Sequence, residues 1–78
     1  MAAVVIGVDP AKRSNTIEVI DGQENVLLAA RFDNTREDCR RMLALVKRFP
    51  TRTWAVEGAT GVGLNLAQRL VSDGERVV

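Results

Sequence analysis

The sequence predicts a small α/β domain whose strands and helices follow the order βββαβαβ. Three observations carry this prediction. Apolar runs rich in β-branched residues, separated by short turns, occupy residues 1–32; apolar residues then recur at helical spacing in two stretches; and a short strand-like run separates those stretches. Strands that alternate with helices form parallel sheets, whereas strands joined by short turns pair antiparallel. A chain of 78 residues is long enough for one small domain.

The first predicted strand covers residues 2–9 and ends in an acid. An unbroken apolar run, Val-Val-Ile-Gly-Val, leads into Asp9, and Pro10 follows. Such a run is typical of a strand that is buried on both faces. Open α/β sheets bind ligands at the carboxyl ends of their central strands, so Asp9 is the first candidate site residue.

The next two predicted strands cover residues 15–21 and 26–32. Ile17 and Val19 share one face of the second strand, with Thr16 and Glu18 on the other, as expected for a half-buried strand. Asp21-Gly22 is a turn signal between the two strands. Because the connections are short, the first three strands are expected to form an antiparallel meander.

A first helix is predicted between residues 34 and 50. Asn34 with Glu37, or Thr35 with Asp38, has the spacing of a capping box, and Pro50 ends the helix. The apolar positions at helical spacing are Cys39, Met42, Leu43, Val46 and Phe49. The cations of this segment therefore face solvent: Arg36, Arg40, Arg41, Lys47 and Arg48.

A fourth strand over residues 51–57 ends in a second acid, Glu57. After a glycine-rich turn, a second helix covers residues 64–72, capped by Gly74, and residues 75–78 begin a fifth strand. The residues that this helix is expected to bury are Leu64, Ala67, Leu70 and Val71. A right-handed crossover places the fourth strand parallel to the first and beside it, which brings Asp9 and Glu57 together.

Composition excludes several classes of site. The chain has no histidine and one cysteine, Cys39, so it offers no internal disulfide, no Cys/His zinc site and no histidine-based catalysis. A net charge of +1 excludes binding to nucleic acid through bulk charge alone. No apolar run approaches the length of a membrane span, so we expect no membrane association and a cytoplasmic protein with Cys39 reduced and buried.

Two carboxylates at neighbouring strand ends, with no histidine, suit Mg²⁺ or Mn²⁺, which prefer oxygen ligands. Two such ions about 3.5–4 Å apart support phosphoryl transfer. That chemistry needs about four acidic ligands, and only Asp9 and Glu57 stand at strand ends. A purely structural role remains open for both, because Asp before Pro is a common turn former and Glu before Gly can be a solvated strand end.

Several short motifs, taken in order, resemble the N-terminal part of the DEDD-type transposases of bacterial insertion sequences, a family that includes Piv-like DNA invertases and RNA-guided recombinases. The motifs are Gly7-Val8-Asp9-Pro10, Lys12-Arg13-Ser14, Arg31-Phe32, Asn34-Thr35, Trp54-Ala55-Val56-Glu57-Gly58 and Gly74-Glu75-Arg76-Val77-Val78. The resemblance implies a ribonuclease H-like (RuvC-like) half-domain. Residues 1–78 would then be the N-terminal part of the catalytic domain, without its later strands and without the separate C-terminal domain.

The resemblance also implies an activity, which is metal-dependent DNA cleavage and strand transfer. Asp9 and Glu57 would be the first two acids of the catalytic, metal-binding tetrad, so we expect the chain alone to be inactive. The implied partners are DNA, a guide RNA in some members, and further copies of the chain through an exposed strand edge or the missing domain. Nucleic-acid contacts are expected from Lys12, Arg13 and Arg31. Two departures from the family pattern are Ala11, where many members have histidine, and the turn Gly58-Ala59-Thr60-Gly61.

Three other interpretations stay open from the sequence. Half of an actin-like or sugar-kinase ATPase also has a first strand ending in Gly-x-Asp, although Pro10-Ala11-Lys12 is unusual for its phosphate loop. A dinucleotide-binding module could use the glycine-rich turn from Gly58 to Gly63. A non-catalytic fragment could assemble through a strand edge at Val77 and Val78.

Overall fold

The computed structural model describes residues 3–58, 61 and 63–78. Its elements are β1 (Val4–Pro10), β2 (Ser14–Ile20), β3 (Val26–Asp33), α1 (Arg36–Val46), β4 (Arg52–Val56) and α2 (Leu64–Ser72). The prediction of an α/β domain is confirmed, as is the order of the first six elements. The predicted start of the first strand at Ala2 lies outside the described residues. In the part of the chain that the structure describes, neither helix is long and apolar enough to cross a membrane.

The four strands form one mixed sheet with the order β3-β2-β1-β4. β2 pairs antiparallel with both β1 and β3, and β4 pairs parallel with β1. The predicted meander and the predicted place of the fourth strand are therefore confirmed. The predicted fifth strand is present only as a single parallel bridge between Val77 and Trp54.

The hydrophobic core lies on one face of the sheet. Val4, Ile6 and Val8 of β1 are buried, whereas Val5 is 46% exposed and Asp9 is exposed. The prediction that this strand is buried on both faces is thus wrong, because the helices supply their buried side chains to one core only. The core residues are Val4, Ile6, Val8, Ile17, Val19, Cys39, Met42, Val46, Trp54, Val56 and Leu70. The prediction that Cys39 is buried is confirmed, and Trp54 is fully buried as well.

The β2–β3 turn is held by one side chain. Asp21 Oδ1 accepts hydrogen bonds from the backbone N–H groups of Gln23 (2.8 Å) and Asn25 (2.9 Å). These bonds favour the charged carboxylate and lower the pKa of Asp21 below its ordinary value. They also support Glu24, which adopts a positive φ of 66°.

Helix α1 begins with one of the two capping pairs that the sequence left open. Thr35 is the N-cap residue, and its hydroxyl accepts a hydrogen bond from Asp38 N at 3.1 Å. The Asp38 carboxylate accepts from Asp33 N at 2.7 Å, one turn before the helix. The helix ends at Val46 and not, as predicted, at Pro50, and Phe49 N donates a hydrogen bond to Val46 O at 2.9 Å in the turn that follows.

Helix α2 covers the predicted residues but buries a different face. Leu70 is fully buried and Leu66 packs against the core, whereas Leu64 is 41% and Val71 60% exposed. The prediction that Leu64 and Val71 are buried is wrong. The helix approaches the sheet through Gly63, which is buried, and this turns the neighbouring residue Leu64 outward.

Glu75 joins the segment after α2 to β4. Its carboxylate accepts two hydrogen bonds from the Arg52 guanidinium, at 2.7 and 2.8 Å, and one from Trp54 Nε1 at 2.7 Å. The side chains of Arg52 and Glu75 are only 18% and 12% exposed. The Arg52 hydrogen bonds, and then that of Trp54, lower the pKa of Glu75 below its ordinary value, against the opposing effect of burial.

Replacing Glu75 with Ala should destabilise the fold by about 2–3 kcal/mol, because hydrogen bonds to charged groups contribute about 1.5–3 kcal/mol and the buried Trp54 N–H loses its acceptor. Glu75→Gln keeps an acceptor for Trp54 but removes the charge, so its loss should be smaller. Chemical denaturation measures both. Equal stability of Glu75→Ala and the parent chain would contradict the role given to this carboxylate.

The lowered pKa of Glu75 predicts an acid-dependent loss of stability. As pH falls, the unfolded chain takes up the proton first, near the ordinary value of 4.5, and the folded chain only at a lower pH. The stabilisation is therefore fully present above about pH 4.5 and is lost as pH falls through the folded pKa. The stability difference between the parent chain and Glu75→Gln should shrink between pH 7 and pH 3. A difference that is constant over this range would disprove the linkage.

Candidate functional site

Asp9 and Glu57 lie side by side at one end of the sheet. Val8 pairs with Val56 in the parallel ladder, and the next residues along the two strands are these acids. Glu57 N donates a hydrogen bond to Val8 O at 3.1 Å, which extends the pairing to this point. Neighbouring strands are about 4.8 Å apart, so the two acids start from adjacent backbone positions. Both residues are exposed.

The two acids line a shallow pocket of about 230 Å³ on the open face of the sheet. Its remaining lining residues are Gly7, Val8, Thr16, Glu18 and Ala55. Glu18 adds a third carboxylate, which the sequence analysis placed on this face but did not treat as a site residue. The missing signal was the hairpin register, in which Glu18 pairs with Gly7 and Thr16 pairs with Asp9.

Gly7 keeps the centre of this pocket free of side-chain atoms. It lies between Glu18 on β2 and Ala55 on β4 in the same row of the sheet. A Cβ atom added at Gly7 would meet only Glu18 O, at 3.9 Å, which is an ordinary contact. The space at this position is therefore open toward the three acids.

Of the three cations predicted to bind nucleic acid, Arg31 shares a row with the acids. Arg31 pairs with Thr16, which pairs with Asp9, so the row across the sheet reads Glu57, Asp9, Thr16, Arg31. The Arg31 Nε–H donates to Ser14 Oγ at 3.1 Å. Ser14, part of the Lys12-Arg13-Ser14 motif, is thus a buried hydrogen-bond acceptor.

Lys12 and Arg13 lie in the turn between β1 and β2, at the same end of the sheet, and both are exposed. Arg13 contributes its backbone carbonyl, which accepts a hydrogen bond from Asn34 N at 2.8 Å. This bond ties the turn to the start of α1. The structure therefore brings Asp9, Glu57 and Arg31 onto one face and places Lys12 and Arg13 at its end.

The acids at this end offer oxygen donors but do not make up a complete set of metal ligands within the described residues. Two carboxylates and the Thr16 hydroxyl give oxygen donors alone, which is the donor set that Mg²⁺ and Mn²⁺ prefer. Within residues 3–58, 61 and 63–78, no group of three or more acidic, cysteine or histidine side chains is arranged to hold a metal ion. Mg²⁺ commonly binds through one or two carboxylates with water and phosphate in its other positions, so these residues fit a partial ligand set.

The glycine-rich turn after Glu57 packs closely against the backbone of this residue. Gly58 adopts a positive φ of 63°, and its carbonyl accepts hydrogen bonds from the N–H groups of Gly61 and Gly63, both at 2.8 Å. A Cβ atom at Gly63 would lie 2.7 Å from Glu57 O and 2.8 Å from Val56 Cγ1, so only glycine fits there. Ala59, Thr60 and Val62, half of the proposed dinucleotide-binding turn from Gly58 to Gly63, lie outside the described residues.

The motif order and this geometry agree with one family comparison. A model of the DEDD transposase family of the IS110 type, described as a transposase, matches residues 6–78. The chain belongs to this transposase family. The predicted resemblance is thereby confirmed over nearly the whole transposase chain. No curated protein matches it. Membership of a transposase family makes DNA the partner in general terms.

Replacing Gly63 with Ala should destabilise the transposase chain by about 1–3 kcal/mol, the range for overpacking at a filled position. Its new methyl group would push against Glu57 O and Val56 Cγ1. Gly22→Ala is the matched control, because a Cβ atom there meets nothing within 4 Å. Thermal denaturation compares the two variants. If Gly63→Ala were as stable as Gly22→Ala, the tight packing of the turn under Glu57 would be incorrect.

Proposed function

We propose that the chain forms the first part of a ribonuclease H-like catalytic domain that cleaves DNA and transfers strands with Mg²⁺ or Mn²⁺ in the intact transposase. Asp9 and Glu57 are the metal ligands contributed by this part. The observation that supports the proposal is their position on adjacent parallel strands, at the same end and on the same open face.

The acids and the cations at this end of the sheet have separate tasks in this proposal. The carboxylates of Asp9 and Glu57 hold the metal, which when bound stabilises charge on the attacking and leaving oxygens of a phosphodiester. Arg31, two strands from Asp9, contacts a neighbouring phosphate and fixes the position of the DNA strand. Lys12 and Arg13 contact phosphates further along the same strand, from the turn at the end of the sheet.

The geometry of the β1–β2 turn favours this function over an ATPase half. A phosphate-binding loop needs several free backbone N–H groups. Here Pro10 has none, and the N–H of Ala11 donates to Ser14 O at 2.8 Å within the turn. The two positions that follow Asp9 therefore offer no free backbone N–H to a nucleotide phosphate.

In the intact transposase, Asp9→Asn and Glu57→Gln should each lower the rate of DNA cleavage at least about 100-fold, since substitutions of residues that merely support metal ligands cost 10–100-fold. Both replacements keep the size of the side chain and its exposure, so the fold should be retained. Cleavage of a supercoiled donor plasmid measures the rate. Full activity in either variant would refute the assignment.

Metal binding can be measured separately on the 78-residue chain, which should not nick DNA by itself. Mn²⁺ should broaden the NMR signals of Asp9, Glu57 and their neighbours first, and Asp9→Asn should weaken this effect. Glu24→Gln, an exposed acid in the β2–β3 turn, is the control and should change nothing. Broadening that is equal at all exposed acids would argue against a site at the strand ends.

A further inference from the structure

A second pocket lies on the helix-covered side of the sheet, opposite the acids. It has a volume of about 160 Å³ and opens between the ends of β2 and β3, the start of α1 and the first turn of α2. We call it the Asn15 pocket. The lining residues used in the argument are Asn15, Phe32, Arg36, Met42, Leu66 and Arg69. None of them belongs to the site described above.

Asn15 is a buried polar residue without a partner in the described part of the chain. It is only 5% exposed and stands on the core-facing side of β2, in line with Ile17 and Val19. Its side-chain amide forms no hydrogen bond with any residue that the structure describes. The oxygen and nitrogen of this amide are not completely enclosed by the protein. Asn15 lines the pocket, and an asparagine amide carries a donor and an acceptor side by side.

The walls of the pocket are apolar and include an aromatic ring. Phe32 pairs with Asn15 across the β2–β3 ladder, and it packs against the core together with Leu66. Met42 is fully buried and Cys39 nearly so. Burial also raises the pKa of the Cys39 thiol, so this wall stays neutral. An aromatic ring beside apolar side chains is the surface on which proteins stack single, unpaired bases.

Two cations line the pocket. Arg36 opens helix α1 and is exposed, and Arg69 of α2 is half-buried. Asp33 also lines the pocket, so the net charge of Asp33, Arg36 and Arg69 together is +1. Arginine side chains are the usual partners of phosphate groups because their guanidinium can donate two hydrogen bonds at once.

We propose that the Asn15 pocket binds one unstacked adenine of a nucleic-acid strand, with the amide of Asn15 on the base edge and the phosphate of that nucleotide on Arg36 and Arg69. We choose adenine because an asparagine amide characteristically pairs with the N6 donor and N7 acceptor of this base. This binding goes beyond cleavage at Asp9 and Glu57 and does not depend on it, since the two sites lie on opposite faces of the sheet.

The test is an NMR titration of the ¹⁵N-labelled chain with adenosine 5′-monophosphate, and in parallel with ribose 5-phosphate and uridine 5′-monophosphate. The adenine nucleotide should shift the side-chain amide signal of Asn15 and bind at least about tenfold more tightly than ribose 5-phosphate. Binding of all three compounds with equal affinity would show a phosphate site only and would overturn the proposal, as would the absence of binding.

Variants then separate the base from the phosphate. Asn15→Leu keeps the approximate volume and removes the amide, so its affinity for adenosine 5′-monophosphate should fall to that for ribose 5-phosphate. Arg36→Ala should weaken both ligands, whereas Arg48→Ala, an exposed cation at the far end of α1, should weaken neither. Unchanged affinity in Asn15→Leu would refute the role of the amide. If that variant does not fold, the comparison of the three ligands on the parent chain still decides.

Binding of short oligonucleotides shows whether the nucleotide belongs to a DNA strand, to an RNA strand or to neither. Short oligodeoxyadenylate and oligoadenylate should both bind more tightly than the monophosphate if the pocket serves a strand, and the tighter of the two identifies DNA or RNA. Binding of the monophosphate alone would overturn the assignment to a strand. Asp9→Asn should leave all these affinities unchanged, so failure of this proposal and failure of the cleavage proposal are distinguishable.

Discussion

The parallel pairing between β1 and β4 is the constraint on which the remaining structure depends. It is the one contact in the sheet that joins segments more than 40 residues apart, and it requires α1 to cross over between them. The same ladder places Val56 beside Val8 in the core and Glu57 beside Asp9 on the open face. A shift of one residue in its register would exchange these faces, burying an acid and exposing Trp54.

The outer edge of β4 shows how a small sheet closes without a complete further strand. Trp54 N donates to Arg76 O at 2.8 Å, and Val78 N donates to Trp54 O at 2.9 Å, so two backbone bonds cover the edge. The Glu75 carboxylate adds three side-chain bonds at the same place. A charged group with low exposure is tolerated there because both Arg52 and Trp54 satisfy it, and burial of a charge without such partners would be unfavourable.

Local patterns in the sequence were sufficient for most of the fold. Alternation in β2 and the turn at Asp21 are decided by residues only a few positions apart, and both were predicted, while the cap of α1 was narrowed to two pairs that include Thr35 with Asp38. The errors arose where distant segments decide the outcome. Whether Val5 is covered depends on which face receives the helices, and whether Leu64 is buried depends on the approach of Gly63 to Glu57.

The candidate site shows the same division. Strand ends and the crossover rule predicted that Asp9 and Glu57 would be neighbours, because parallel neighbours share one end of a sheet. Glu18 was missed as a site residue because its place opposite Gly7 depends on the hairpin register, which the turn sequence does not specify uniquely. Asn15 gave no signal at all, since an asparagine at the start of a strand is typical of a turn, and only its burial distinguishes it.

Gly7 offers a way to alter chemistry and folding independently. Most glycines inside strands are required by a close approach of backbone or by a positive φ, whereas this one has room for a side chain and an ordinary strand conformation. Larger residues at this position would occupy the pocket between the acids, while the core on the opposite face of the sheet would keep its packing. A set of substitutions at one residue would then vary the size of the pocket between Asp9, Glu18 and Glu57 without changing the core.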